Sequence, residues 1–360
     1  MTVQPTGKGG NLPSDNTLLT SLGLELAYFS GRGWISGRGA GAILRFERVR
    51  HRRAGRFQPL KSSEITPRFL DRMLRALKRW KYDIVDMDEV CRRAVIMGAP
   101  RRFVCLTFDG VSKDLITSAY PVLLRHRVPF TIYVPTAFPD GLGEAWWLAL
   151  EQIIARESRV NLVIDRKERH FGTRSTAEKY LVHEFLESWM RTLAPPELSA
   201  AIKDLCKRYT VDLEKLSREA AMDWSDLARL AADPNVTIGS ATVNYSALSN
   251  LKDAAALREM TMGKAVAEAA FQNNIRHFAY PFGDPASWRR THLVMAAEEV
   301  GFASAVSSIP GIVEAAGRTN LYALPRISWD GRLRSLRAMR VLLSGVTFAP
   351  VKPTRNSPGI

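Results

Sequence analysis

Short apolar runs that stop abruptly at polar or glycine residues recur along this chain, and they constrain its fold more than any other feature. Residues 103–108, inside RRFVCLTFDGVSK, are bounded by two arginines on one side and Asp109-Gly110 on the other. Residues 129–135 (PFTIYVP) form a second such run, and residues 115–126 between them carry a helical pattern. Runs of this length, rich in aromatic and β-branched residues, read as buried strands. Strand, helix and strand at this spacing make a βαβ unit, so a parallel α/β architecture is expected. Asp109 then stands at the carboxyl edge of its strand, where such architectures place their chemistry. The competing reading is an aspartate that turns the chain or caps the next helix.

The rest of the chain repeats this rhythm. Residues 41–49 (GAILRFERV) read as a first strand, 82–85 as a short strand, and 88–97 as a helix. Thr66-Pro67 is a helix start, with a capping hydroxyl and proline at the first helical position. Phe69, Leu70, Met73, Leu74, Leu77 and Trp80 follow at helical spacing. Between 135 and 223 the alternation breaks. Residues 145–156 form an apolar helix with paired Trp146 and Trp147, 160–171 a hairpin, and 176–191, 197–209 and 213–220 three more helices. These aromatics either stack on sugar rings or, the reading weighted more here, anchor the insertion to the barrel. The alternation resumes with helices at 223–232 and 251–271, a strand at 278–280, a helix at 287–300 and a strand at 302–306. A closing strand at 321–327 (LYALPRI) precedes a last helix carrying Arg332, Arg334, Arg337 and Arg340 outward. The expected organisation is an N-terminal extension over 1–40, partly disordered, a barrel over 41–350 with a helical insertion at 144–222, and a disordered tail at 351–360.

Three segments, LTFDG (106–110), IGSATVNY (238–245) and YPFG (280–283), resemble, in order, the signature of the polysaccharide deacetylase family, the chitooligosaccharide and peptidoglycan deacetylases. The resemblance spans about residues 41–345 and implies a distorted (β/α) barrel. It also implies a general base at Asp109 and metal ligands at Gly110, Ala241 and Tyr245, where the family has an aspartate and two histidines. A further departure is Glu47, at a position where relatives carry histidine. The resemblance thus implies a zinc or other divalent-metal hydrolase of amide bonds, whereas this chain lacks the side chains for that metal. No cofactor is therefore expected, and Asp109 and Glu47 are the candidate catalytic residues. Gly110, Ala241, Tyr245, Tyr280, Pro281, Phe282, Arg326, Trp329 and Asp330 are the candidate cleft residues.

Three functions remain open on these residues. The first is a glycan-binding relative that has lost zinc-dependent deacetylation, since a carboxylate near its usual pKa of about 3.9 is a poor base for water that no metal has acidified. The second is a divergent hydrolase using Asp109 with Glu47, either as an acid/base pair or as oxygen ligands to a hard cation. The third is an anion-binding protein acting through Arg48, Arg50, Arg52, Arg53 and Arg56, the densest basic run in a chain of net charge +15. That run lacks interleaved aromatics, so nucleic acid is not the expected partner. Three cysteines without CxxC spacing (Cys91, Cys105, Cys206) and the lack of an export signal point to the cytoplasm. The apolar patch at 18–29 is too short to span a bilayer and reads as a surface helix or a peripheral membrane contact.

Overall fold

The computed structural model describes residues 22–30, 39–96 and 101–348; the expectations for the N-terminal extension before 22 and for the 351–360 tail lie outside them. Helix α1 (residues 22–29) lies on the surface, burying Leu24 while Leu22, Leu26 and Phe29 stay exposed. Strand β1 (Gly41–Phe46) and the two-residue β2 (Arg48–Val49) follow, and β2 pairs with β3 (Glu64–Ile65). Helix α2 (Pro67–Arg79) starts where Thr66 accepts a hydrogen bond from the Phe69 amide at 3.2 Å, with proline in the first turn. Then come β4 (Asp83–Val85) and α3 (Met87–Val95), the latter capped by Asp86.

Strand β5 (Phe103–Asp109) is buried at all seven positions, as both faces of a central parallel strand must be. One edge pairs with β1 along its length. The other pairs first with β4 and then with β6 (Phe130–Val134). Between β5 and β6 the chain makes one π-helical stretch, Leu115–Ala119, before α4 (Tyr120–His126), with Pro121 at the junction. A proline ring without an N–H cannot continue the regular ladder, and the wider turn accommodates it.

The helical stretch that follows holds α5 (Trp146–Arg156), the antiparallel hairpin β7 (Arg159–Ile164) and β8 (Lys167–Gly172), α6 (Thr176–Thr192), α7 (Pro195–Arg208) and α8 (Leu213–Ala220). Trp146, Leu150, Ile153, Leu186, Met190, Ile202 and Leu205 give it a hydrophobic core of its own. It rejoins the barrel where the Met222 amide donates to the Val111 carbonyl at 2.7 Å. Helix α9 (Trp224–Ala231), β9 (Val236–Ser240), α10 (Asp253–Phe271), β10 (His277–Ala279), α11 (Arg290–Val294) and β11 (Ser304–Val306) resume the alternation. Strand β12 (Ile327–Ser328) and α12 (Leu336–Ser344) end it.

Among the described residues the main sheet has eight strands in the order β11-β10-β9-β6-β5-β1-β12, with β4 beside β5, and every pairing is parallel. The fold is the expected distorted (β/α) barrel. Segment 321–327 closes it, though not as one strand. Leu321–Ala323 is a 3-10 turn, Leu324 bonds to β11, and only Ile327–Ser328 pairs with β1. Pro325, which has no donor, interrupts the ladder. The helix expected over 287–300 begins at Arg290 and passes into a π-helical turn at Met295–Glu299. The last helix begins at Leu336, so Arg332 and Arg334 precede it, and Arg332 clasps Asp330 at 2.7 Å.

Candidate functional site

Asp109 ends β5 at the carboxyl edge of the sheet with its side chain almost wholly buried. Its oxygens are both taken. Arg326 donates through Nη1 to Oδ1 at 2.6 Å and through Nη2 to Oδ2 at 2.7 Å, and Arg45 donates through Nε to Oδ2 at 2.5 Å. Arg326 is itself fully buried, its Nε on the Ser307 carbonyl at 2.7 Å and its plane over the Tyr133 ring. A bidentate guanidinium–carboxylate pair of this kind is among the stronger charge-assisted contacts. Burial alone would raise the Asp109 pKa. Arg326 and Arg45 outweigh it and hold the carboxyl below its ordinary value.

Arg45 also reaches Glu47 at 2.8 Å, so one guanidinium bridges the two candidate catalytic carboxylates. Glu47 is half-buried, at the turn between β1 and β2.

Tyr245 comes to the same place from the loop after β9. That loop turns sharply, with Thr242 at φ 68° and Tyr245 at φ 57°, conformations that non-glycine residues adopt only when their surroundings enforce it. Helix α10 enforces it. Glu259 accepts from the amides of Val243 at 3.1 Å and Asn244 at 2.9 Å, and Gly263 lies so close that a Cβ there would stand 2.6 Å from the Thr242 carbonyl carbon. The Tyr245 hydroxyl is pushed up to about 12 by burial, with Asp109 beside it.

Asp109, Glu47, Gly110, Tyr245 and Phe282 line one cavity of about 440 Å³ at the barrel mouth. That volume lies within the usual range of small-ligand sites, about 300–1,000 Å³. The helical stretch roofs it with Trp146, Trp147, Glu187 and Arg191. One wall is a run of aromatic rings: Phe138 lies 5.9 Å from Trp147, Trp147 6.5 Å from Tyr245, and Tyr245 5.2 Å from Phe282.

The other candidate residues are placed differently. Gly110 sits at the cavity floor with φ 86°. Ala241 is buried behind the cavity in the barrel interior, against which Tyr245 packs. Tyr280 is fully buried, its hydroxyl donating to the Tyr322 carbonyl at 3.0 Å, and Pro281 is buried beside it; neither lines the cavity. Trp329 and Asp330 line a smaller neighbouring pocket of about 200 Å³, and Trp329 packs its ring on Phe69. Of the basic run, Arg50 and Arg53 are drawn into ion pairs with Glu64, Asp114 and Glu151, while Arg52 and Arg56 are exposed.

Two contributors escaped the sequence reading. Arg45 alternates within a strand whose neighbours are apolar, and only its outlying charge marked it. Trp147 was weighed mainly as an anchor, yet it packs on Phe138 while also facing the cavity. Among the described residues no group of three or more His, Cys, Asp or Glu is placed to hold a metal ion, and none of the described helices is long and apolar enough to cross a membrane.

Comparison with known proteins agrees with this fold. The polysaccharide deacetylase family model matches residues 195–304, which include the β9 loop and the YPFG turn but not Asp109. The fold is similar to that of the Streptococcus pyogenes deacetylase PplD, solved in complex with acetate (17% identity, 82% of this chain and 94% of that one, TM-score 0.53). It is similar also to IcaB from Ammonifex degensii (14% identity, 85% and 98%, TM-score 0.51). A de-N-acetylase from Aggregatibacter actinomycetemcomitans is comparable (11% identity, 84% and 99%, TM-score 0.51). No curated protein matches the sequence. By fold over most of its length, and by sequence over residues 195–304, the chain is related to the polysaccharide deacetylases.

Proposed function

We propose that this protein binds an N-acetylated or acidic glycan in the cavity at the barrel mouth and does not carry out zinc-dependent deacetylation. The observation that supports this best is the aromatic wall from Phe138 to Phe282 set against a polar floor. Flat apolar faces match the C–H face of a pyranose, and the polar floor supplies orientation.

The residues at the family's ligand positions do not fit a zinc ion. Gly110 and Ala241 have no donor atom, and the Tyr245 phenol keeps its proton at physiological pH. A zinc site needs three or four nitrogen, sulfur or carboxylate ligands. Asp109 cannot make up the deficit while both of its oxygens accept from arginines, and the positive charge between Asp109 and Glu47 is already supplied by Arg45. The same contacts argue against Asp109 as a general base paired with Glu47, because a carboxyl held below its ordinary pKa takes protons poorly.

Calorimetric titration of N-acetylated chito-oligosaccharides tests the reading. Binding is expected to persist in the presence of a chelator and to weaken about ten-fold in Trp147→Ala, the scale of one lost aromatic contact. Loss of binding on chelation, or an unchanged affinity in Trp147→Ala, would contradict it.

A further inference from the structure

Beside the cavity three arginines are paired with carboxylates and a fourth is left over. Arg45 is shared by Asp109 and Glu47. Arg50 pairs with Asp114 at 3.1 Å and Glu64 at 3.5 Å, and Arg53 with Glu64 at 2.8 Å and Glu151 at 2.9 Å. Arg48, on β2, lines the cavity between them, and none of the described residues accepts a hydrogen bond from its guanidinium or pairs with it. Burial pulls its pKa below the ordinary arginine value, although Glu47 and Glu64 are near enough to oppose this. The acids facing the cavity do not cancel it. Glu47, Asp109, Asp114 and Asp284 each have an arginine, the exposed Glu219 has Lys215 at 4.0 Å, and burial pushes the Glu187 carboxyl toward its neutral form. Lys113, exposed at the rim, is a second cation with no ion-pair partner among the described residues.

A partly desolvated guanidinium that lines the cavity with no acceptor among the described residues is held ready for a ligand acceptor, and its planar fork suits carboxylate or phosphate oxygens. We infer that Arg48 is the specificity-determining residue for an anionic group on the bound glycan, a uronate carboxylate or a phosphate ester, with Lys113 adding attraction at the entrance. The inference rests on the reading of this cavity as a glycan site and narrows it to acidic glycans.

The experiment compares oligosaccharides of equal length: a neutral N-acetylated chito-oligosaccharide, a hyaluronan fragment carrying glucuronate, and a chito-oligosaccharide bearing a phosphate ester. One acidic ligand should bind the unaltered protein at least about ten-fold more tightly than the neutral one, as a charge-assisted pair predicts. Which acidic ligand does so identifies the anion. The preference should shrink with added salt, vanish in Arg48→Ala and return in part in Arg48→Lys. Equal affinity for neutral and acidic ligands in the unaltered protein, or a preference that survives Arg48→Ala, would overturn the inference and leave the glycan site standing. Failure of every glycan to bind would overturn both.

Discussion

The Asp109–Arg326 pair invites the sharpest perturbation, because both partners are buried and each is held by several hydrogen bonds. Arg326→Met removes two hydrogen bonds to Asp109, one to the Ser307 carbonyl, one to Thr107 Oγ1 at 3.2 Å and one to Ser308 Oγ at 3.5 Å, and leaves a carboxylate inside the barrel. Breaking a buried ion pair from one side typically costs about 3–5 kcal/mol. Arg45 remains on Oδ2, so the expected loss lies near the lower end, about 3 kcal/mol. Adding Asp109→Asn removes the stranded charge, and the double variant should recover about 1–2 kcal/mol of that loss, a coupling of the size found between contacting residues. Urea denaturation of the unaltered protein, both single variants and the double variant, followed by near-UV circular dichroism, measures all four corners. The acid side of the profile supplies a second check. The folded pKa of Asp109 lies below its unfolded value, so its contribution is present above about pH 4 and lost as pH falls through the folded value. Asp109→Asn should flatten that limb. An Arg326→Met loss under about 1 kcal/mol, or additive single variants, would refute the buried-pair account.

Two other outcomes follow from the same contacts. Gly263→Ala improves helix propensity by roughly 1 kcal/mol but drives a methyl into the Thr242 backbone, so a net loss of about 1–2 kcal/mol in thermal or urea unfolding is expected, with weakened glycan binding through displaced Tyr245. His292 is buried and accepts the Arg289 amide at Nδ1 (3.0 Å), a bond only the neutral ring can make, and burial lowers its pKa to about 4. The unfolded chain therefore binds more protons between pH 6.5 and 4, stability should fall with pH across that window, and His292→Gln should reduce the slope measured by unfolding at several pH values.

The strands could be read from the sequence because burial on both faces writes itself as an uninterrupted apolar run; residues 103–108 and 129–135 match β5 and β6 to within a residue or two. Helix α2 was legible for a local reason, the Thr66 cap and Pro67. Pairings were not legible. Arg326 stands 217 residues from Asp109 and Arg45 stands 64 away, and nothing in the composition of either neighbourhood announces that they meet. The pairings of the basic run at 48–56 were hidden for the same reason, since Glu64, Asp114 and Glu151, which draw Arg50 and Arg53 inward, all lie outside the run. Tyr280 illustrates the converse. Its motif placed it near the cleft, yet the preceding strand alternates its side chains and turns this ring into the core against Trp288.

Asp109 at the mouth of this barrel is closed onto two arginines, Arg326 and Arg45, and we propose that they stand in place of a metal. Elemental analysis of the purified protein after equilibration with excess zinc and removal of free ion, alongside acetate release from N-acetylated chito-oligosaccharides, tests it most directly. Zinc far below stoichiometric, with glycan binding intact and no acetate released, is the predicted result; a full equivalent of retained zinc with chelator-sensitive acetate release would contradict it.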